Sequence, residues 1–180
     1  MNSKKRKVMI LGIGNLLFSD EGFGVRVVQR LKERYEFPDE VSLVDGGVLG
    51  LTLLGVISEA DELIVVDAIR NRGEPGTLYR LEGDAIPERI RAKNSLHQVD
   101  FLEALTLCQA LDREVPKTVI LGVEPADIET LSIELTPTTT AKIDPIIEMV
   151  LTELDRRDVS YRKRTNYVSC DPLENREYPK

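Results

Sequence analysis

The stretch KVMILGIGNLLFSDEGFGVRVVQRL, residues 7–31, decides the fold. Lys7 to Gly14 is a short apolar run closed by glycine, the pattern of a buried strand feeding a turn. Ser19 and Asp20 offer N-cap oxygens, and Glu21 falls in the first helical turn, where a carboxylate suits the helix dipole. Phe23, Val27, Leu31 and Tyr35 then recur at every fourth position, so one helical face is expected to run up to Pro38. A buried strand, a glycine turn and an amphipathic helix make the opening unit of a parallel α/β sheet.

Working outward, Val41 to Asp45 (VSLVD) reads as a second strand closed by Gly46-Gly47. Leu49 to Ser58 is short and almost wholly apolar, a helix buried by its neighbours. Glu62 to Ile69 (ELIVVDAI) is the clearest strand in the chain. Gly73-Glu74-Pro75-Gly76 is turn chemistry, and Thr77 to Leu81 alternates like a strand with one exposed face. A return after so tight a turn predicts an antiparallel edge strand. Gly83 to Lys93 is polar and expected to be loop. A helix is expected from just after His97 to about Leu111, with Phe101, Leu105 and Cys108 on its inner face. Thr118 to Val123 is the last strand, ended by Glu124-Pro125, and Thr136-Pro137 opens a helix expected to run unbroken to Leu154. The fold class is therefore α/β: a three-layer sandwich with a mostly parallel five-stranded sheet, one antiparallel edge strand and helices on both faces. Residues 1–154 form the single domain. Residues 155–180 carry net charge +2 against −9 for the rest, with few aliphatics and two prolines, and are expected to form a loosely ordered polar tail.

Composition narrows the function. The 180 residues are 42% hydrophobic and 31% charged, enough for one core without disulfides. A net charge of −7 argues against nucleic acid as a partner. No run of 18 apolar residues suggests a membrane span, and the basic-then-apolar start lacks a small-residue cleavage site, so a cytoplasmic protein is expected. Cys108 and Cys170 are far apart and form neither a CxxC motif nor a disulfide framework. His97 is the single histidine, which eliminates HExxH proteases and any two-histidine metal site.

In an open parallel sheet, ligands bind outside the carboxyl ends of the strands. Asn15 and Glu21 follow the first strand, Asp45 ends the second, Asp67 the third and Glu124 the last, while His97 precedes the expected helix. Acids at strand ends commonly cap helices and turns, and that reading competes evenly for each one alone. As a set they place carboxylates, an amide and the only imidazole on one rim. Glu21, Asp67 and His97 make a three-point site with open positions, suited to Mn, Fe, Ni or Zn. With so few ligands it would hold a free metal weakly, but could recognise one that another protein already carries. The rival is nucleotide binding through Gly12-Ile13-Gly14-Asn15. Leu17 replaces the third glycine of the dinucleotide fingerprint, the next strand-end acid comes only at Asp45, and Asp20 and Glu21 would repel a pyrophosphate at the helix start.

GIGNLLFSDEGFGVRVVQRL (12–31), VDGGVLG (44–50), ELIVVDAI (62–69), SLHQVDFL (95–102) and GVEP (122–125) resemble, in order and spacing, the nickel–iron hydrogenase maturation endopeptidases. The resemblance covers about residues 7–154. It implies a cytoplasmic, monomeric endopeptidase that removes the C-terminal extension of the hydrogenase large-subunit precursor once nickel is inserted. By the same resemblance, Glu21, Asp67 and His97 fall where the family contacts metal, the nickel being carried by the precursor; a divalent metal in the free protein stays open. Asp45 is the candidate for acid–base work, and Asn15, Gly46 and Gly47 are candidates for substrate binding. The alternatives are a nucleotide-dependent α/β enzyme and a chaperone that holds the precursor without cutting it.

Overall fold

In the computed structural model, residues 6–47, 53–83 and 117–165 are described. Strand β1 (Val8–Ile13) is buried along its whole length, as an apolar run without polar alternation requires. After a 3₁₀ turn at Ser19–Gly22 comes α1 (Phe23–Arg34), then β2 (Tyr35–Glu36), β3 (Val41–Gly47), α2 (Leu53–Ile57) and β4 (Glu62–Ala68). The chain continues through β5 (Leu78–Glu82), β6 (Lys117–Val123), α3 (Pro137–Thr140), α4 (Ile143–Asp155) and β7 (Arg162–Lys163). The main sheet has the order β3-β1-β4-β6-β5, with β5 antiparallel to β6 and the other pairs parallel.

Two apolar clusters sandwich this sheet. Ile10, Ile64, Val66 and Leu121 face α1 and α4, where Phe23, Val27, Leu31, Ile146 and Val150 close the core. Leu11, Leu63, Val65 and Ile120 face the other way and meet Ile57 of α2. Helices thus lie on both faces, as expected. The helix expected from about His97 to Leu111 and most of the Gly83–Lys93 loop lie outside the described residues.

Several expectations need correcting. Tyr35 does not continue the helical stripe: its backbone is extended (φ −131°, ψ 155°), and it pairs with Lys163 in a second small sheet. The C-terminal helix is not continuous. Thr136 caps α3, but the chain breaks at Ala141-Lys142 before α4 starts. Pro145 is the cause: a continuous helix would need a Pro145 N–H for the Ala141 carbonyl, whereas in the first turn of a new helix no such donor is required.

The chain past Leu154 is held to the domain as far as Arg164. Arg157 donates from Nε to Glu62 Oε2 at 2.8 Å and from Nη1 to Glu153 Oε2 at 2.7 Å. Tyr161 packs edge-on to Tyr35, with ring centroids 6.0 Å apart. Arg164 N–H bonds the Arg34 carbonyl at 2.8 Å. This ion network clusters at the amino ends of the strands. Burial pushes the Glu153 carboxyl up, but hydrogen bonds from Arg80 and Arg157 outweigh it and hold the group at about 2.

Candidate active site at the carboxyl ends of the strands

Glycines bring the first helix onto the sheet. A Cβ on Gly24 would come within 2.1 Å of the Val66 carbonyl and 2.5 Å of the Ile13 carbonyl. On Gly14, at φ +134°, it would overlap the Glu21 carbonyl at 1.8 Å. Side chains at either position would push the helix off the strand ends. The Glu21 main chain therefore lies over the end of β1, and the 3₁₀ turn packs against β4, whose penultimate residue is Asp67.

Asp67 is buried, at 8% exposure, on a strand buried from end to end. It pairs in register with Gly122, and Gly122 in turn with Tyr79. Glu21 is half-buried on its turn. The turn that carries Glu21 and the strand that carries Asp67 are thus packed together. Asn15 opens the same turn: its Oδ1 accepts from Leu17 N–H at 3.0 Å and its carbonyl from Phe18 N–H at 3.2 Å.

Asp45 stands farther along. Gly12 is flanked by Asp45 on one side and Val66 on the other, so two strand spacings, roughly 10 Å, separate β3 from β4. Its side chain is exposed. Gly46 is buried, whereas Gly47 is half-buried with φ +42° and accepts Gly14 N–H at 3.2 Å. His97 lies outside the described residues, and among the described residues no three His, Cys, Asp or Glu side chains converge as a metal cluster.

Two carboxylates read from sequence as rim or cap groups have other work. Asp20 is fully buried and does not cap α1, whose N-cap is Gly22 without a side-chain bond. It accepts from Ala126 N–H at 2.8 Å, Asp127 N–H at 3.0 Å and Thr136 N–H at 2.7 Å, and from the hydroxyls of Thr136 and Thr139. Ser19, the other expected cap, donates its hydroxyl to the Glu134 carbonyl at 3.1 Å. Together they bind the Glu21 turn to the segment between β6 and α3. Glu124 is buried too: its Oε2 accepts from Asn71 N–H at 2.8 Å, Gly73 N–H at 3.1 Å and Tyr79 hydroxyl at 2.7 Å. It thereby fixes the turn before β5, and burial with that hydrogen bond raises the Tyr79 pKa. In sequence Asp20 reads as a helix cap, and its role as a long-range tie is hidden. Its signal is an acid before an acid at a helix start, and its partners are 106 or more positions away.

Comparison with known proteins agrees with this architecture. Residues 25–153 match the family model described as HycI, hydrogenase maturation protease. The hydrogenase expression/formation protein HupD of Bradyrhizobium diazoefficiens is 39% identical over 165 residues, covering 91% of this chain and 86% of that protein. The hydrogenase 2 maturation protease of Escherichia coli strain K12 is 38% identical, covering 82% of this chain and 90% of that protein. Among solved structures, the hydrogenase maturating endopeptidase HybD from E. coli superposes with a TM-score of 0.84 at 37% identity, covering 89% of this chain and 99% of that one. The same fold extends to a maturation protease from Thermococcus kodakarensis at 24% identity and a TM-score of 0.69. On this coverage and identity, the chain belongs to the hydrogenase maturation protease family and is a peptidase.

Proposed function

We propose that this peptidase removes the C-terminal extension of a nickel–iron hydrogenase large-subunit precursor, and that it acts on the nickel-loaded form. The observation that supports this reading is the packing of the turn that carries Glu21 against β4, the strand that carries Asp67, in a chain of this family. Nickel here is part of the substrate. Glu21, Asp67 and His97 would complete a coordination shell that the precursor leaves open, so an unloaded precursor would lack the contact that docks it.

The reaction is hydrolysis of one peptide bond. Water adds to the scissile carbonyl, the C–N bond breaks, and the departing amine takes a proton. The precursor's metal supplies Lewis-acid polarisation of that carbonyl. Asp45 is the group assigned to take the water proton and return it to the amine, its exposed carboxylate being open to an incoming chain. Half-buried Gly47, rather than buried Gly46, offers open main chain beside it, and Asn15 borders the same rim. The chain acts as a monomer away from the membrane in this reading; among the described residues no helix is long and apolar enough to cross one.

The test is processing of purified nickel-loaded precursor by Glu21→Gln and Asp67→Asn variants, followed by intact mass. Both should leave the precursor at full length while remaining folded. Full-rate cleavage by either would remove that carboxylate from the site.

A further inference from the structure

We propose that Leu17, Leu131 and Ile133 form an apolar ledge beside the Glu21 turn that docks an apolar, basic-flanked segment of the precursor protein. This rests on the precursor being the substrate. Among the described residues, these three are the exposed large hydrophobic side chains, at 55%, 74% and 66% exposure. Scattered singly they would need no explanation. The backbone gathers them. Ser132 N–H bonds the Leu17 carbonyl at 2.9 Å, and Ser19 N–H bonds the Ser132 carbonyl at 2.7 Å, closing a parallel bridge between Phe18 and Ser132. In that register Leu17 lies beside Leu131, and Ile133 follows the bridged Ser132 directly, where the chain bends, so all three sit within one residue of the bridge.

The ledge is stiff and well placed. Buried Asp20 ties its two segments together, and Arg26 Nη2 donates to the Ile133 carbonyl at 2.7 Å. Ordering cost on binding is therefore already met in the free protein. Leu17 is also continuous in chain with Glu21, so a segment held here lies next to the rim where the bond is cut.

Charge selects the occupant. Asp127, Glu129 and Glu134 flank the Leu131–Ile133 segment in sequence, against Arg26 on the Ile133 carbonyl and Arg70 3.7 Å from Glu129, so acids outnumber bases by three to two. A second copy of this acidic chain would set that rim against itself. A partner with basic residues flanking its apolar ones would not.

The experiment measures binding of purified precursor to the full-length protein by calorimetry, comparing wild type with the double variant Leu131→Ser/Ile133→Ser, alongside sedimentation of the protein alone. Both side chains are exposed, so the melting temperature should not move. The expected result is a Kd weakened by about tenfold or more, the scale of one lost apolar contact region, with wild type sedimenting as a monomer. An unchanged Kd, or no binding of precursor by wild type, would overturn the ledge. So would a wild-type dimer that the double variant dissolves. Binding that depends on the ledge without any cleavage would uphold docking while removing the protease reading, which keeps the two claims separable.

Discussion

Thr136 and Asp20 are joined twice across 116 positions: the Thr136 N–H donates to Asp20 Oδ1 at 2.7 Å and its hydroxyl to Oδ2 at 3.0 Å. Through this pair the cap of α3 and the turn carrying Glu21 form one rigid unit. The position of the Glu21 turn over the strand ends is thus set by a fully buried residue.

Asp20→Asn should be strongly destabilising. An amide keeps one acceptor oxygen but turns an NH₂ toward donors that need an acceptor, leaving buried groups unpaired at a cost on the order of 3 kcal/mol. A urea midpoint lowered at unchanged slope is the expected outcome. Glu21→Gln, next in sequence and half-buried, should shift stability by less than about 1 kcal/mol while abolishing processing. Equal stability losses in the two variants would contradict the division of labour.

Gly24→Ala should lift α1 from the sheet. The added methyl meets the Val66 and Ile13 carbonyls, which are backbone and cannot rotate away. Overpacking of this kind costs about 1–3 kcal/mol. Processing should fall further than stability does, because the same shift moves Glu21 from Asp67. Activity kept in step with the folded fraction would argue against that coupling.

The main-sheet strands were legible in sequence because β1, β3, β4 and β6 are short, largely apolar runs bounded by glycine, proline or acid, and the GEPG turn announced the antiparallel β5, whereas the two-residue β2 and β7 carry no such signal. That Asp45, Asp67 and Glu124 fall at one edge follows from parallel strands that end in or just before an acid. What sequence hid was long-range pairing. Asp20 looks like a helix cap and Glu124 like a rim acid because local spacing says nothing of Thr136 or of Gly73 and Tyr79. The helix break at Ala141-Lys142 was readable from Pro145, but the apolar period of Ile143, Ile146, Ile147 and Val150 masks it. The fastening of residues 155–164 depends on Arg157 finding Glu62, the first residue of β4, which composition cannot reveal.

Acid should weaken the fold through Glu153. Its carboxyl sits at about 2 in the folded protein against an ordinary 4.5, so the unfolded chain binds the proton first as pH falls. Its stabilisation is complete above about pH 4.5 and is lost progressively toward pH 2. Glu153→Gln should lower stability at neutral pH by on the order of 3 kcal/mol, since it strips Arg157 of a buried partner, and should flatten the acid limb. An acid limb unchanged in the variant would assign it to other carboxylates.

His97→Ala should fold normally and leave the precursor uncut, read by circular dichroism and by the mass of the large subunit. Normal processing by this variant would remove the imidazole from the metal contact.

In the proposed function the peptidase reads nickel in its substrate. The most direct test is the intact mass of a hydrogenase large-subunit precursor incubated with this protein, with and without nickel loaded. Loss of one discrete C-terminal peptide from the loaded sample alone is the expected result. Equal cleavage of both samples would leave a protease without a metal checkpoint and contradict the claim.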